Sequence, residues 1–269
     1  MSKKRREIPV FDHPIIETHC HLDYLKDRPL SDTLEQSQRV NIEKVITIAV
    51  SPDNLAAVRE LAGSNDWVFG TQGIHPHEAE TYTDEVEAEI RQHATDDKIV
   101  AVGEIGLDYF YDNADRAVQR DVFRRQLQIA CDSDRPVVIH SRDADDDTIA
   151  ILKEFEHSLE RRGVIHSFTS GPGLAQYAID QGWCLGFNGI TTFNKAENVR
   201  DIVRMTPIEQ ILLETDAPFL TPVPYRGREN APFYLPFVAE KIAEVKDLPL
   251  DQVLSQTYQN SLRTFFPHL

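Results

Sequence analysis

The sequence predicts a single (β/α)8 TIM-type barrel with one additional helix at its C-terminal end. Eight short apolar runs of strand type recur along the 269 residues, their starts 20 to 37 residues apart. Each gap can hold the dozen or more residues that a parallel crossover needs, and each contains a helix-like stretch. No Pro-, Gly- or Ser-rich linker divides the chain, so residues 1–269 read as one domain, with 1–13 expected to form a flexible N-terminal extension. A doubly wound open sheet is the competing architecture. It would be long at eight strands, and no glycine-rich dinucleotide fingerprint or phosphate loop follows any of them.

The elements follow in order. Ile15-Ile16 opens the first strand, and residues 31–40 form a helix starting at Ser31-Asp32. Val45 to Val50 is the second strand; Ser51-Pro52 then places a cap before proline at the first position of helix 53–62. Trp67 to Gly70 is the third, followed by 83–93, which starts at Thr83 and sets Glu87 and Arg91 at i,i+4. Ile99 to Gly103 is the fourth; 115–131 then carries Val118, Val122, Phe123, Leu127 and Ala130 at helical spacing. Pro136 to Ile139 is the fifth, and the aspartates of Asp143 to Asp147 read as the acidic start of helix 144–157, where they suit the dipole. Gly163 to Ile165 precedes helix 173–181, Trp183 to Phe187 precedes 194–204, and Ile211 to Leu213 precedes 232–246. A last helix near 249–264 extends past the eighth unit.

Composition limits the function. The formal net charge is −16, which argues against coating nucleic acid through a broad basic surface, though one locally held phosphate remains compatible. Cys20, Cys131 and Cys184 are odd in number and far apart, which suits a reduced compartment without a disulfide framework. No apolar run of signal-peptide or membrane-helix length is present, so the expected location is the cytoplasm, the expected state a monomer, and no membrane partner is expected. Lys3-Lys4-Arg5-Arg6 reads as a frayed, solvated terminus.

Polar residues sit where the apolar runs end. The first run leads into His19-Cys20-His21, the third is followed by His75-Pro76-His77, and the others end in Glu104, His140, His166 and Asp216. In this fold those ends form the active face. Residues i and i+2 of a strand share a side, so His19 and His21 form a pincer for a metal ion, while Cys20 points the other way and packs. His93, His157 and His268 read as ordinary structural residues. Four imidazoles (His19, His21, His140 and His166) and two carboxylates (Glu104 and Asp216) exceed what one ion needs and fit two ions sharing a carboxylate. Mixed nitrogen and oxygen ligands favour Zn, Mn, Fe, Co or Ni; Mg is compatible where substrate oxygens complete the shell.

At these residues the chain resembles the TatD family of metal-dependent hydrolases, within the amidohydrolase-like superfamily. The motifs, in order, are Thr18-His19-Cys20-His21-Leu22-Asp23, Gly73 to His77, Gly103 to Tyr109, Pro136 to Arg142, His166-Ser167-Phe168, Leu213 to Pro218 and Arg226 to Pro232. The resemblance spans about Ile15 to Phe265. It implies a one- or two-metal barrel with hydrolytic activity, typically on DNA. It also implies that His19, His21 and Asp216 hold one ion, that His140 and His166 hold the other, and that Glu104 bridges. Glu17 stands where the family usually has Asp, which bears on the support of the ligands.

The expected reaction is hydrolysis of a phosphodiester by a metal-activated water, with an exonuclease acting on single-stranded DNA or DNA ends as the leading reading. Asp216 and Glu104 are the catalytic candidates, Asp216 as acceptor of the water's proton. His75, His77, Asp108, Arg142, Arg226 and Arg228 are the candidate substrate contacts, Arg142 as a bidentate phosphate donor or as the ion-pair partner of the aspartates after it. Tyr109, Phe110 and Tyr111 read as a cover over the barrel rim rather than a base-stacking surface. Amide or ester hydrolysis on the same metals, for example of an aminoacyl-nucleic acid, is the alternative, and a metal-binding interaction protein without turnover is a third.

Overall fold

Eight parallel strands, each followed by a helix, wrap in sequence order into a barrel. The structure, a computed structural model, describes residues 5–267. The strands are β1 (Ile15–Cys20), β2 (Ile42–Thr47), β3 (Val68–Gln72), β4 (Ile99–Asp108), β5 (Val137–Arg142), β6 (Gly163–Ile165), β7 (Cys184–Phe187) and β8 (Ile211–Leu213). They pair as neighbours from β1 to β8. The β8 end returns to β1 at the mouth. His21 N donates to Ala217 O at 2.7 Å, Asp216 N to His19 O at 2.9 Å, and Thr18 Oγ1 to Leu213 O at 2.9 Å. This is the predicted (β/α)8 barrel.

The helices are α1 (Leu30–Arg39), α2 (Pro52–Gly63), α3 (Asp84–His93), α4 (Arg116–Ser133), α5 (Asp145–Glu154), α6 (Pro172–Asp180), α7 (Glu197–Met205), α8 (Leu235–Lys246) and α9 (Leu250–Phe265). Their starts follow local chemistry. Asp115 Oδ1 accepts from Ala117 N and Val118 N, capping α4, and a cap of this kind contributes about 1 kcal/mol. Ser51 and Asn54 form a reciprocal capping box ahead of Pro52, and Thr83 Oγ1 accepts from Val86 N. The expected cap at Ser31-Asp32 is displaced: Pro29 holds the cap position, so Ser31 and Asp32 lie in the first turn of α1. Of the aspartate run, Asp145, Asp146 and Asp147 form the acidic first turn of α5, while Asp143 turns left-handed ahead of it (φ 52°).

Packing holds the strands in place. α4 buries Val122, Phe123, Leu127 and Ala130, and each of the larger side chains contributes about 1.5–3 kcal/mol by leaving water. α9, the extra helix, lies against β1 and β8, where Phe265 and Phe266 pack with Ile16, Val100, Val138 and Leu212. Gly106 has φ +138°, and a Cβ there would fall 2.0 Å from the His140 carbonyl oxygen. Only glycine allows β4 and β5 this approach.

Residues 5–13 carry no helix or strand but lie against the barrel. The Arg6 guanidinium is bidentate on Glu240 at 2.7 and 2.6 Å, Tyr225 Oη donates to Arg6 O at 2.9 Å, and Ile8 and Phe11 pack on the core. Lys3, Lys4 and His268 lie outside the described residues. Cys20 and Cys184 are buried and all three cysteines are free thiols. Among the described residues no helix is long and apolar enough to cross a membrane.

Candidate metal centre

The strand pleat brings the predicted residues together at the C-terminal ends. β1 carries Glu17 and His19, both fully buried, across a register irregularity between Glu17 and Cys20, and His21 follows just past the strand. Their rings cluster: His19 and His21 centroids are 5.2 Å apart, and His19 stacks on His166 at 3.8 Å. β4 delivers Glu104 into the middle, 2 % exposed.

The two oxygens of Glu104 face two groups of imidazoles. Oε2 lies 3.4 Å from His19 Nε2. Oε1 lies 2.6 Å from His166 Nε2, 3.0 Å from His140 Nδ1 and 3.4 Å from His75 Nε2. Asp216 completes the first side, with Oδ1 3.5 Å from His21 Nε2 and 3.7 Å from His19 Nε2. All six residues predicted as ligands thus meet in one cluster.

The groups around this cluster fix its orientation. Asp108 Oδ2 lies 2.9 Å from His140 Nε2 and 3.0 Å from His77 Nε2. Its Oδ1 accepts from the backbone N–H groups of Phe110 and Tyr111. Burial raises the Asp108 pKa, but the hydrogen bonds with His140 and His77 outweigh it and hold the carboxylate well below its ordinary value. Glu17 Oε1 accepts from His19 N at 3.0 Å and Thr215 N at 2.9 Å, tying β1 to the β8 end; burial pushes its carboxyl up to about 8. Burial pushes His19 down from its ordinary value and His75 down to about 4, which keeps both imidazoles neutral and their lone pairs available.

The donor set fits a cation. His19 is fully buried, yet neither ring nitrogen has a hydrogen-bond partner, and His21 Nδ1, His166 Nδ1 and Glu214 Oε2 are likewise unpartnered. A buried polar atom left so costs about 1–3 kcal/mol. Ligation of one ring nitrogen removes that cost. Nitrogen and oxygen donors lie close enough to share an ion in three sets: His19 with His21 and Glu104; His19 with His166 and Glu214; and His75 with Glu104 and His140.

Two of these residues were not assigned as ligands from sequence. His75, a candidate substrate contact, also turns its Nε2 toward Glu104. Glu214 was given no role. It is fully buried, accepts from Ser167 N at 2.6 Å and from Asn188 Nδ2 at 3.2 Å, and lies 3.8 Å from His166 Nδ1. The signal is in the sequence: Glu214 directly follows Leu213, the last residue of its apolar run, the kind of place where Glu104, His140 and His166 stand. Gly186 makes the room for it, since a Cβ there would lie 2.3 Å from Glu214 Oε2.

The remaining candidates rim the mouth. His77 is at the edge, its ring 5.3 Å from Tyr111. Arg142 makes no ion pair among the described residues; its guanidinium lies over Phe110 at 3.9 Å and near Tyr111 at 4.8 Å. Arg226 and Arg228 are exposed in the loop after β8, Arg226 stacked on Phe193 at 3.7 Å. Phe110 and Tyr111, expected to cover the rim, lie on it against Arg142 and are each 55 % exposed. Only Tyr109 is tied down, its Oη bonded to Asp147 at 2.5 Å.

Known proteins resemble this chain over nearly its whole length. The family model for TatD related DNase matches residues 16–266. An uncharacterized metal-dependent hydrolase of Bacillus subtilis (strain 168), YabD, is 34 % identical over 252 residues, covering 93 % of this chain and 98 % of that protein. YcfH of Escherichia coli (strain K12), also an uncharacterized metal-dependent hydrolase, is 35 % identical over 256 residues, covering 93 % and 95 %. The crystal structure of YjjV, a TatD homolog from Escherichia coli K12, superposes with a TM-score of 0.87 at 30 % identity, over 93 % of this chain and 97 % of that one. The chain belongs to the TatD family of metal-dependent hydrolases.

Proposed function

We propose that this chain is a divalent-metal-dependent deoxyribonuclease that removes nucleotides from single-stranded DNA or DNA ends. The observation that carries the reading is the position of Glu104, one carboxylate oxygen toward His19 and the other toward His140 and His166. A carboxylate placed so can bridge two ions, with His19, His21 and Asp216 holding one and His140 and His166 the other. Bound ions supply Lewis acidity toward a phosphoryl oxygen and lower the pKa of water, the chemistry that phosphodiester hydrolysis needs. Zn, Mn, Mg, Co, Fe and Ni all suit the donors.

The chain's own residues do the rest. Asp216 keeps 13 % of its side chain open to the mouth, while Glu104 is closed off, so Asp216 accepts the proton of the attacking water. Asp108 holds His140 and His77 in fixed orientation. His75 and His77 bound the space where the leaving group departs. Arg142, Arg226 and Arg228 make no ion pair among the described residues; the N–H groups of Arg226 and Arg228 are available to phosphate oxygens, and those of Arg142 to the part of the substrate that enters the cleft beside it. With 44 acidic against 28 basic residues the net charge is −16, which disfavours a long polyanion over the whole surface and suits a short, end-held substrate. Free, largely buried thiols and the reduced state they imply suit a cytoplasmic monomer.

The test is hydrolysis of end-labelled single-stranded oligonucleotides by metal-stripped protein with Mg, Mn, Zn or Co added back, beside His19→Ala and Glu104→Ala. Stepwise shortening that requires metal and vanishes in both variants is expected. Folded, metal-loaded protein that cleaves aminoacyl esters or amides but no oligonucleotide refutes the proposal.

A further inference from the structure

The mouth of the barrel has two chemically opposite walls. The loops after β4, β5 and β6 enclose an open cleft of ≈ 670 Å³, lined among others by Phe110, Arg142, Asp143, Asp146, Thr169 and Ser170. The loop after β8, across the barrel in the strand order, carries the exposed Arg226 and Arg228. The cleft adjoins the metal centre. Phe110 follows Asp108 by two residues and Arg142 follows His140 by two. Tyr111 stands edge-on to His77 at 5.3 Å, and His77 is joined to His140 through Asp108.

Three features define what this cleft can hold. Phe110, which lines the cleft, and Tyr111 next to it stand edge to face, ring centroids 4.9 Å apart and planes at 90°, and each is 55 % exposed. Arg142 lies against both rings with its N–H edge uncommitted to any carboxylate among the described residues, although Asp143 and Asp146, exposed and themselves without hydrogen bond or ion pair, line the same cleft. Asp145 accepts from Gly171 N and Asp147 is paired with Arg120 and Tyr109, so Asp143 and Asp146 are the free carboxylates that make this wall less favourable to a phosphate than the Arg226–Arg228 wall. A flat, uncharged group fits all three: its face stacks on Phe110 with the perpendicular Tyr111 ring at its edge, and its polar edge meets arginine donors and aspartate acceptors.

We infer that the cleft seats a nucleobase flanking the scissile phosphodiester, with the sugar–phosphate backbone turned toward the Arg226–Arg228 wall. The inference rests on the nuclease reading above and adds the orientation of the strand to it. Phe110 is the stacking ring, with Tyr111 standing perpendicular to it at the base's edge.

The experiment uses the metal-loaded enzyme and three end-labelled single strands: one intact, one with an abasic tetrahydrofuran nucleotide at the terminal position of the attacked end, one with it at the penultimate position. One abasic strand is expected to lose about tenfold in kcat/KM, the scale of one lost base stack. The Phe110→Ala/Tyr111→Ala double variant, whose fold is checked by circular dichroism, is expected to cleave that strand and the intact strand at equal rates. As a readout apart from turnover, 2-aminopurine at the same position is expected to be quenched on binding to metal-loaded Asp216→Asn protein, and not when the two ring substitutions are added. Equal cleavage of all three strands overturns the inference and leaves the nuclease reading intact. An abasic defect that persists in the double variant also overturns it. No cleavage of the intact strand with any metal removes the nuclease reading and this inference together.

Discussion

Gly186→Ala is a sharp test of how the centre is supported. The added Cβ would lie 2.3 Å from Glu214 Oε2, 2.9 Å from Glu214 Cδ and 3.2 Å from His166 Cα. Glu214 cannot swing aside without breaking its bonds from Ser167 N and Asn188 Nδ2, and it is fully buried. Overpacking of this kind costs about 1–3 kcal/mol. For a chain of this size that lowers Tm by about 2 to 12 °C. Displaced support beneath a ligating histidine weakens metal binding by about 10- to 100-fold. Thermal unfolding followed by circular dichroism on metal-free protein, with a metal titration alongside, measures both. Gly63→Ala is the control: nothing lies within 4 Å of its added Cβ, and Gly63 ends helix α2, so Tm should hold or rise slightly. An unchanged Tm and unchanged metal affinity in Gly186→Ala would refute the placement of Glu214 beneath His166.

Other expectations follow from the same geometry. Arg142→Ala should lower kcat/KM on oligonucleotides about tenfold, a loss of ~1.4 kcal/mol, and leave Tm within 1–2 °C, because the side chain has no ion-pair partner to strand; a large Tm drop would mark a structural role. Glu17→Gln should separate from the native protein with pH. A carboxyl raised from 4.5 to about 8 by burial leaves its stability in full below pH 4.5 and loses it as pH rises toward 8, so the Tm advantage of the glutamine variant in metal-free protein should grow across that window; a constant difference would contradict it. Chelation should lower the Tm of the native protein and change that of a His19→Ala/His140→Ala variant much less, read by differential scanning calorimetry.

Much of this architecture was legible in the residues, and what was not has physical reasons. The eight apolar runs located every strand, but β4 and β5 run on through Asp108 and Arg142. In a barrel the mouth-facing positions turn polar before the strand ends, so hydrophobicity stops marking the strand early. Pro29 was passed over as a cap because Ser31-Asp32 looks like one; the helix starts two residues earlier than Asp32 because proline already fixes a compatible φ at the boundary. His19 and His21 declare themselves by spacing, and Glu214 by its place directly after the apolar run Ile211 to Leu213. His75 did not, since its approach to Glu104 depends on how the loop after β3 folds over the mouth. Whether Arg142 would pair with the aspartates beside it was open in sequence; the left-handed turn at Asp143 and the start of α5 leave it on Phe110 instead. The tie between Arg6 and Tyr225 joins residues 219 apart, beyond any local pattern.

The central claim is a bridged pair of ions held by Glu104 between two sets of imidazoles. Isothermal titration of metal-free protein with Mn, with the bound metal counted by elemental analysis, tests it most directly. The account predicts two ions per chain in the native protein and no more than one in Glu104→Gln, with the circular dichroism spectrum unchanged. Two ions bound with equal affinity in both proteins would contradict it.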